Sequence, residues 1–355
     1  MTSLDIARYR LVNQRIVATG FAAADALVGW MGCLRVQDFS QARWAIGNRV
    51  HNVAAAAIDH DLRTGKILRM HVLKPAWHFV LPADLGWMLQ LTAPAIKALN
   101  KTLHRKLNIG DAMLKRSKLL IAKSLAGGER LTAAQLLNVL KEGRVDTDEI
   151  RFNFLLMDAE LDALICCAGM QGKQFTYALL EEYMPGMKYP DRVNAIAALT
   201  LRYFASRGPA TIQDFCWWSG LDAMDARKGL EMNQPGLTHA VVNGQAYWFA
   251  AGMQLLPAPE TAVQLLPAWD EYLLSYHDHS DVQGFRSLQD AAFKPLLIMN
   301  GQVAGTWAYT AYAGRMQVSL HPFTTLRKGD VHMIREAAAH YALFSGQIFA
   351  GITIT

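Results

Sequence analysis

The sequence predicts an α+β protein in which short helices and two-stranded hairpins recur, followed by a mostly β C-terminal domain. Apolar residues at helical spacing, followed by two short strand-like segments, occur three times between residues 1 and 256. Asn243-Gly244 separates two of these strands and is a strong hairpin signal. Beyond Pro257 the apolar residues alternate or form short runs, a pattern typical of strands.

The first predicted unit covers residues 1–96. Thr2 or Ser3 can cap its first helix, and Thr64-Gly65 ends the helical spacing. The apolar stretches with helical spacing lie at 4–13, 22–34, 41–46 and 53–62, and the two strands at 67–73 and 77–80.

The second predicted unit covers residues 97–189. Gly127-Gly128 stops its first helix, Thr132 caps the next, and Asp146 or Thr147 can cap the third. The predicted helices lie at 112–125, 133–140 and 148–159, and a hairpin is predicted from strands at 161–167 and 174–179.

The third predicted unit covers residues 190–256, and the C-terminal domain covers 257–355. In the third unit Thr211 caps a helix, and Gly220 turns the chain into another helix that precedes the hairpin at Asn243-Gly244. Helix, turn, helix and hairpin is the order of a winged-helix unit, although the same order also fits an α+β module without a nucleic-acid ligand. The helices are predicted at 191–206, 212–219, 223–232 and 328–343, and the strands at 238–242, 245–249, 263–266, 296–299, 303–309 and 316–320.

Positive charge is concentrated in one segment. The net charge is only +5, but residues 97–123 contain eight basic residues and a single acid, Asp111. Such a segment can offset phosphate charge, or it can be a solvated basic face without a ligand. The eight residues are Lys97, Lys101, Arg105, Lys106, Lys115, Arg116, Lys118 and Lys123.

Composition and motifs exclude several classes of protein. A hydrophobic share of 52% with 18% charged residues describes a globular chain, and no apolar run approaches the ~18 residues of a membrane span. The four cysteines lack metal-ligand spacing, and the His277-Asp278-His279 triplet is expected on a surface loop. Phosphate-binding loops and dinucleotide fingerprints are missing from the sequence, so no cofactor or metal is expected. A cytoplasmic location and a monomer are expected.

Three segments carry a family resemblance. Residues 35–38 are Arg-Val-Gln-Asp, residues 71–80 are His-Val-Leu-Lys-Pro-Ala-Trp-His-Phe-Val, and residues 266–273 are Leu-Pro-Ala-Trp-Asp-Glu-Tyr-Leu. They resemble the signatures of the AlkZ-like tandem winged-helix DNA glycosylases, which unhook interstrand crosslinks. The first signature in that family usually has two glutamines, Gln-x-Gln-Asp. Arg35 stands at the first glutamine and Gln37 matches the second.

The resemblance implies three winged-helix units, a barrel-like C-terminal β domain and a catalytic role for Gln37. An N7-alkylated purine already carries a positive charge, so its departure requires little acid assistance. A glutamine carbonyl can then stabilise the sugar cation and place a water. Arg35 would repel that cation, unless it holds a phosphate or the Gln37 carbonyl. Asp38 is a further candidate, as a source of negative charge. The adjacent acids Asp270 and Glu271 are not expected to carry the chemistry.

The expected partner is duplex DNA, alkylated or crosslinked. Trp77 could wedge a base step apart and His78 could orient water or bind phosphate, or both could be core residues. Gln37 could likewise be a structural polar residue. A non-catalytic DNA-binding sensor or regulator is the alternative function, because Arg35 replaces a glutamine. The candidate DNA contacts are Arg49, Arg69, Lys74, Trp77, His78, Lys115, Arg116 and Lys118, with Arg43 as a weaker candidate.

Overall fold

The computed structural model describes residues 2–18, 20–187, 190–253, 262–282 and 293–355. The chain forms two compact units. Residues 1–59 and 196–355 make one, which we call the split unit, and residues 60–195 make the other, the central unit. The predicted start of the C-terminal domain at residue 257 lies outside the described residues.

The N-terminal part of the split unit is mainly helical. Thr2 caps the first helix in a capping box with Asp5, as the sequence predicted. A three-residue strand interrupts the predicted apolar stretch at 22–34, because Gly32 adopts a positive φ of 75° and ends the second helix. The elements are α1 (Ser3–Asn13), α2 (Ala24–Met31), β1 (Cys33–Arg35), α3 (Phe39–Gly47) and α4 (Ala55–Arg63).

The central unit contains a hairpin, β2–β3, and a separate three-stranded sheet in the order β4-β6-β5. Thr132 caps α7 as predicted, whereas Asp148 caps α8 in place of Asp146 or Thr147. The elements are β2 (Leu68–His71), β3 (Trp77–Val80), α5 (Pro82–Lys106), α6 (Asp111–Leu125), β4 (Leu131–Thr132), α7 (Ala133–Glu142), α8 (Glu149–Leu161), β5 (Ile165–Gln171), β6 (Gln174–Leu179) and α9 (Leu180–Tyr183).

The boundary predicted between residues 96 and 97 falls inside α5, which is one continuous helix of 25 residues. The basic segment therefore does not begin a new element. The helix continues because its buried face, which includes Leu89, Ile96 and Asn100, extends beyond Pro94.

The split unit resumes with three helices and a hairpin, as the sequence predicted. Thr211 caps the second of these helices in a capping box with Asp214. Asn243 and Gly244 have positive φ angles of 50° and 78°, as a tight hairpin turn requires. The elements are α10 (Arg192–Arg207), α11 (Ile212–Ser219), α12 (Ala223–Met232), β7 (Leu237–Val242) and β8 (Gln245–Ala250).

The C-terminal residues form a five-stranded sheet in the order β13-β12-β11-β10-β9, against which one long helix, α14, packs. Strands β9 and β13 lie at opposite edges, so the sheet is open and the predicted barrel is not closed within the described ranges. The elements are β9 (Val263–Leu266), α13 (Glu271–Leu274), the 3-10 turn Ser280–Val282, β10 (Leu296–Met299), β11 (Gln302–Tyr312), β12 (Arg315–Pro322), α14 (Lys328–Phe344) and β13 (Ile348–Ile354).

An aromatic cluster attaches α3 to α14. The Trp44 ring lies 4.9 Å from the Tyr341 ring and 5.1 Å from the Phe344 ring, and Trp307 lies 4.9 Å from Tyr341. Such tilted contacts add to the free energy of burying the rings. Gly47 lies directly against Phe344, where a β-carbon would have no room. The helix that follows Gln37 is therefore firmly packed.

Candidate active site and nucleic-acid contacts

Two buried charged residues hold β1, the strand that leads to Gln37. The Arg207 guanidinium donates to the carbonyl oxygens of Met31 at 2.6 Å and Cys33 at 3.0 Å. The Glu271 carboxylate accepts from the backbone N–H of Arg35 at 3.1 Å. Arg207 and Glu271 also pair with each other at 3.0 Å. The backbone that leads to Gln37 is thus held along one edge, through both carbonyl and N–H groups.

Gln37 lies on the short connection between β1 and α3, and its side chain is exposed. Asp38, the next residue, caps α3: its Oδ1 accepts from the backbone N–H of Gln41 at 2.8 Å. An N-cap carboxylate also interacts favourably with the positive end of the helix dipole. The geometry therefore leaves the exposed Gln37 side chain free to face a ligand, while the Asp38 carboxylate is bound to the backbone of α3.

Arg35 is half-buried and stacks on an aromatic ring. Its guanidinium carbon lies 5.2 Å from the Trp269 ring centroid, within the range of a cation–π contact. Burial lowers the pKa of the Arg35 guanidinium below its usual value, and the nearby Glu271 carboxylate opposes this shift. A partly desolvated cation thus lies two residues before Gln37.

Asp270 and Glu271 are structural residues and not an exposed acidic pair, since only 3% of each is exposed. Asp270 receives two hydrogen bonds from the Arg49 guanidinium, at 2.6 and 2.9 Å. Glu271 accepts from Trp218 Nε1 at 3.1 Å and from the Ser275 hydroxyl at 2.6 Å, in addition to Arg207. Both carboxylates are engaged with several hydrogen-bond donors.

Arg49 does not fit the prediction that it contacts a DNA phosphate. It is completely buried, and besides Asp270 it donates to the Gln14 carbonyl at 3.0 Å and the Gln14 side chain at 3.1 Å. Its partners lie 35 and 221 residues away in sequence, so their pairing is not visible in any local motif. The weaker candidate Arg43 pairs with Asp59 at 2.8 Å.

The hairpin β2–β3 carries the remaining candidates of the first predicted unit. His78 is 5% exposed and its Nδ1 lies 2.9 Å from the Ala76 carbonyl, so the prediction that it reaches water or phosphate does not fit. Trp77 and Arg69 are half-buried and stacked, with the guanidinium carbon 3.6 Å from the ring centroid. Lys74 is half-buried in the loop between the strands.

The basic segment is partly neutralised. Lys118 donates to Asp158 at 2.9 Å and also to Asp162, and Lys97 pairs with the same two carboxylates. Burial raises the pKa of Asp162, but the hydrogen bonds from both lysines outweigh it and hold the pKa below its usual value. Two of the eight predicted basic residues therefore stabilise the central unit.

Arg116 and Lys115 are adjacent but differ in their contacts. The exposed guanidinium of Arg116 donates twice to the Gly143 carbonyl, at 2.7 and 3.1 Å. Lys115 is exposed and has no ion pair or hydrogen bond within the described part of the chain. Of the three residues predicted there, Lys115 is the best placed to meet a phosphate.

The described residues contain no group of three or more potential metal ligands. His277 is exposed and His279 is half-buried with Nε2 2.9 Å from the Leu273 carbonyl. Burial raises the pKa of the Cys167 thiol to about 12, so it is a thiol at neutral pH. No described helix has the length and apolar character of a membrane span.

The overall fold matches that of a solved DNA glycosylase. The structure of Streptomyces sahachiroi DNA glycosylase AlkZ superimposes with a TM-score of 0.84 at 19% identity, and 100% of each chain is covered. In sequence, a relative described as an interstrand DNA cross-link repair glycosylase of Streptomyces sahachiroi is 22% identical over 95% of both chains.

A sequence-family model also matches most of the chain. Residues 28–344 match the model described as DNA glycosylase AlkZ-like. The chain therefore belongs to the AlkZ-like DNA glycosylase family, as the segments at 35–38, 71–80 and 266–273 indicated. Membership makes it a DNA-binding repair protein of the glycosylase type.

Proposed function

We propose that this protein excises N7-alkylated or crosslinked purines from duplex DNA, with Gln37 as the catalytic residue. The observation that carries the proposal is the exposed Gln37 side chain on a backbone held by Arg207 and Glu271 and followed by the capped helix α3. A site of this kind is pre-organised, because its backbone does not have to be ordered when substrate binds.

The chemistry suits a glutamine. The cationic base of an N7-alkylpurine leaves with little proton transfer, so the protein has to stabilise the sugar cation and position a water. The Gln37 amide oxygen can accept a hydrogen bond from water and place partial negative charge near the sugar. The engaged carboxylates of Asp270 and Glu271 are not needed for this role.

The DNA contacts are proposed on the exposed or half-buried candidates Arg69, Lys74, Trp77 and Lys115. The three successions of helices and a hairpin are proposed to be winged-helix units that together bind the duplex, since this order suits a helix in a groove and a wing beside it. Arg49 and His78 support the fold instead.

A second candidate function is a DNA-damage sensor without catalysis. The observation that favours it is Arg35, whose half-buried positive charge stands beside the proposed site and opposes a sugar cation. Under this alternative the protein binds alkylated DNA but releases no base.

The two functions are separated by one assay. The protein is incubated in excess with a duplex containing a single N7-methylguanine, and free base is measured by chromatography and mass spectrometry alongside the binding affinity. Release above the spontaneous rate supports the glycosylase. Binding without release supports the sensor, and the absence of both contradicts the two proposals. A duplex with a purine–purine crosslink then shows whether crosslinks are also substrates.

A further inference from the structure

A cavity of about 380 Å³ lies within the central unit, among α7, α8, β6 and the hairpin β2–β3. Its polar lining consists of Arg69, Trp77, Asn153, Lys173, Gln174 and Tyr177. No carboxylate contributes to the described lining. The buried Glu160 carboxylate acts on the lining residue Tyr177 but is paired with His71, so the two cationic side chains of the lining make the cavity electrostatically suited to an anion.

Arg69 is held in one orientation by two rings. Its guanidinium carbon lies 3.6 Å from the Trp77 ring centroid and 4.5 Å from the Phe175 ring centroid, so the group is stacked between them. This stacking removes rotational freedom in advance. The guanidinium also hydrogen-bonds the Tyr177 side chain, and its Nε–H is left without an acceptor among the described residues. A nucleobase cannot enter the same space between the rings, because the guanidinium fills it.

Two donors at this cavity lack acceptors. Arg69 Nε and Trp77 Nε1 are buried from solvent, and neither has a hydrogen-bond partner within the described residues. Buried donors are rarely left unpaired, since each unpaired group costs about 1–3 kcal/mol of desolvation. Both groups are donors only, so an acceptor is what they lack.

Further positive potential comes from α7 and from the turn of the hairpin β5–β6. Ala133 and Ala134, the first two residues of the ten-residue helix α7, line the cavity. Backbone N–H groups at such positions have no acceptor within the helix, and the helix dipole favours negative charge there. Lys173, in the turn between β5 and β6, is exposed and free of ion pairs in the described chain.

We propose that this cavity binds a phosphodiester group of a DNA strand, through Arg69, Lys173, Trp77 Nε1 and the N-terminus of α7. A phosphodiester supplies acceptor oxygens and a single negative charge, and the Trp77 and Phe175 ring edges suit the adjoining sugar. The inference rests on the proposed DNA-repair function and adds a phosphate site that lies within the central unit, whereas Gln37 lies in the split unit.

The first test is the salt dependence of binding to an undamaged, fluorescein-labelled 20-base-pair duplex. Lys173→Ala should weaken affinity about 3- to 10-fold at physiological salt and make the slope of log K against log salt shallower by about 1. Lys141→Ala is the matched control, because Lys141 is also exposed but lies near the opposite end of α7. Equal slopes for Lys173→Ala and wild type overturn the proposal.

The second test uses Arg69 and neutral phosphates. Arg69→Lys keeps the charge but loses the fork of donors, so it should weaken binding while leaving the melting temperature close to wild type. A methylphosphonate scan of the duplex should then find one position whose neutralisation weakens the wild type but not Lys173→Ala. If every position affects both proteins equally, no single phosphate occupies the cavity.

A competition experiment distinguishes a phosphate of DNA from free phosphate, and an excision assay tests the proposed catalysis separately. Inorganic phosphate at millimolar concentration and constant ionic strength should not displace the duplex. If it displaces the duplex from the wild type but not from Lys173→Ala, the cavity binds free phosphate and the proposal is overturned. Base excision by saturating Lys141→Ala should match wild type, since Lys141 does not line the cavity. If the wild type releases no base but its salt slope still differs from that of Lys173→Ala, only the proposed catalysis is contradicted.

Discussion

At the scale of single residues, the candidate site combines the exposed amide of one glutamine with carboxylates that already bind backbone N–H groups. Gln37 faces solvent, whereas Asp38 caps a helix and Glu271 holds the backbone of Arg35. Arg35 is the one position of the motif whose chemistry opposes the proposed reaction. Its stacking on Trp269 at 5.2 Å gives it a defined place beside the site.

Arg35→Gln should raise excision of N7-methylguanine by tenfold or more. Tenfold corresponds to about 1.4 kcal/mol of barrier, a small part of what a misplaced charge costs in a partly dry site. Single-turnover base release measures the change, with Arg43→Gln on α3 as the control that should not accelerate the reaction. A slower Arg35→Gln enzyme would show that Arg35 assists, for example by clamping a phosphate, and that the repulsion argument is wrong.

Asp270→Asn should destabilise the fold and leave the chemistry in place. It removes the negative partner of the fully buried Arg49, and breaking a buried pair in this way costs about 3–5 kcal/mol. Denaturant unfolding measures the loss. Asp59→Asn, which removes the partner of Arg43 in a half-buried pair, is expected to cost about 1 kcal/mol or less. A folded Asp270→Asn protein without excision activity would move the active site toward residue 270.

At the scale of elements, the connection from β1 to α3 decides how Asp38 is interpreted. Asp38→Asn should keep both the helix cap and base excision, since an asparagine oxygen also accepts from the Gln41 N–H. Asp38→Ala should cost about 0.5–2 kcal/mol of stability through loss of the cap. Thermal unfolding and excision are measured on both variants. If Asp38→Asn remains fully folded but inactive, the carboxylate itself takes part in the reaction.

The elements that could be predicted from sequence are those with local signals. Thr211 and Asn243-Gly244 define α11 and the β7–β8 hairpin through their own backbone chemistry, and both predictions are confirmed. Strand β13 was not predicted, because its parallel pairing with β12 depends on residues about 30 positions away. Burial of Arg49 was not predicted for the same reason: its acceptor, Asp270, is distant in sequence. The candidate catalytic role of Gln37 could be predicted only from the family motif around it.

At the scale of the whole molecule, the modest net charge of +5 makes the local distribution of cations decisive for DNA binding. Lys118 and Lys97 share Asp158 and Asp162, so the segment between residues 97 and 123 is less cationic than its sequence indicates. Affinity should therefore depend on the exposed basic residues without carboxylate partners, and stability on the paired ones.

Lys115→Ala and Lys118→Ala test this separation. Lys115→Ala should make the salt slope of duplex binding shallower by about 1 and leave the melting temperature unchanged. Lys118→Ala should lower the melting temperature, because it leaves Asp158 and Asp162 with fewer donors, and change the salt slope little. Fluorescence anisotropy and thermal unfolding provide the two readouts. The reverse pattern would mean that the ion pairs open when DNA binds.

The central claim is that Gln37 carries out base excision, and the most direct measurement is single-turnover release of N7-methylguanine by wild type and Gln37→Ala under saturating enzyme. We expect Gln37→Ala to fall to the spontaneous rate while its affinity for the same duplex and its melting temperature stay unchanged. The control Gln90→Ala, an exposed glutamine on α5, should retain the wild-type rate. Release by Gln37→Ala at the wild-type rate would contradict the claim and place the chemistry elsewhere in the molecule.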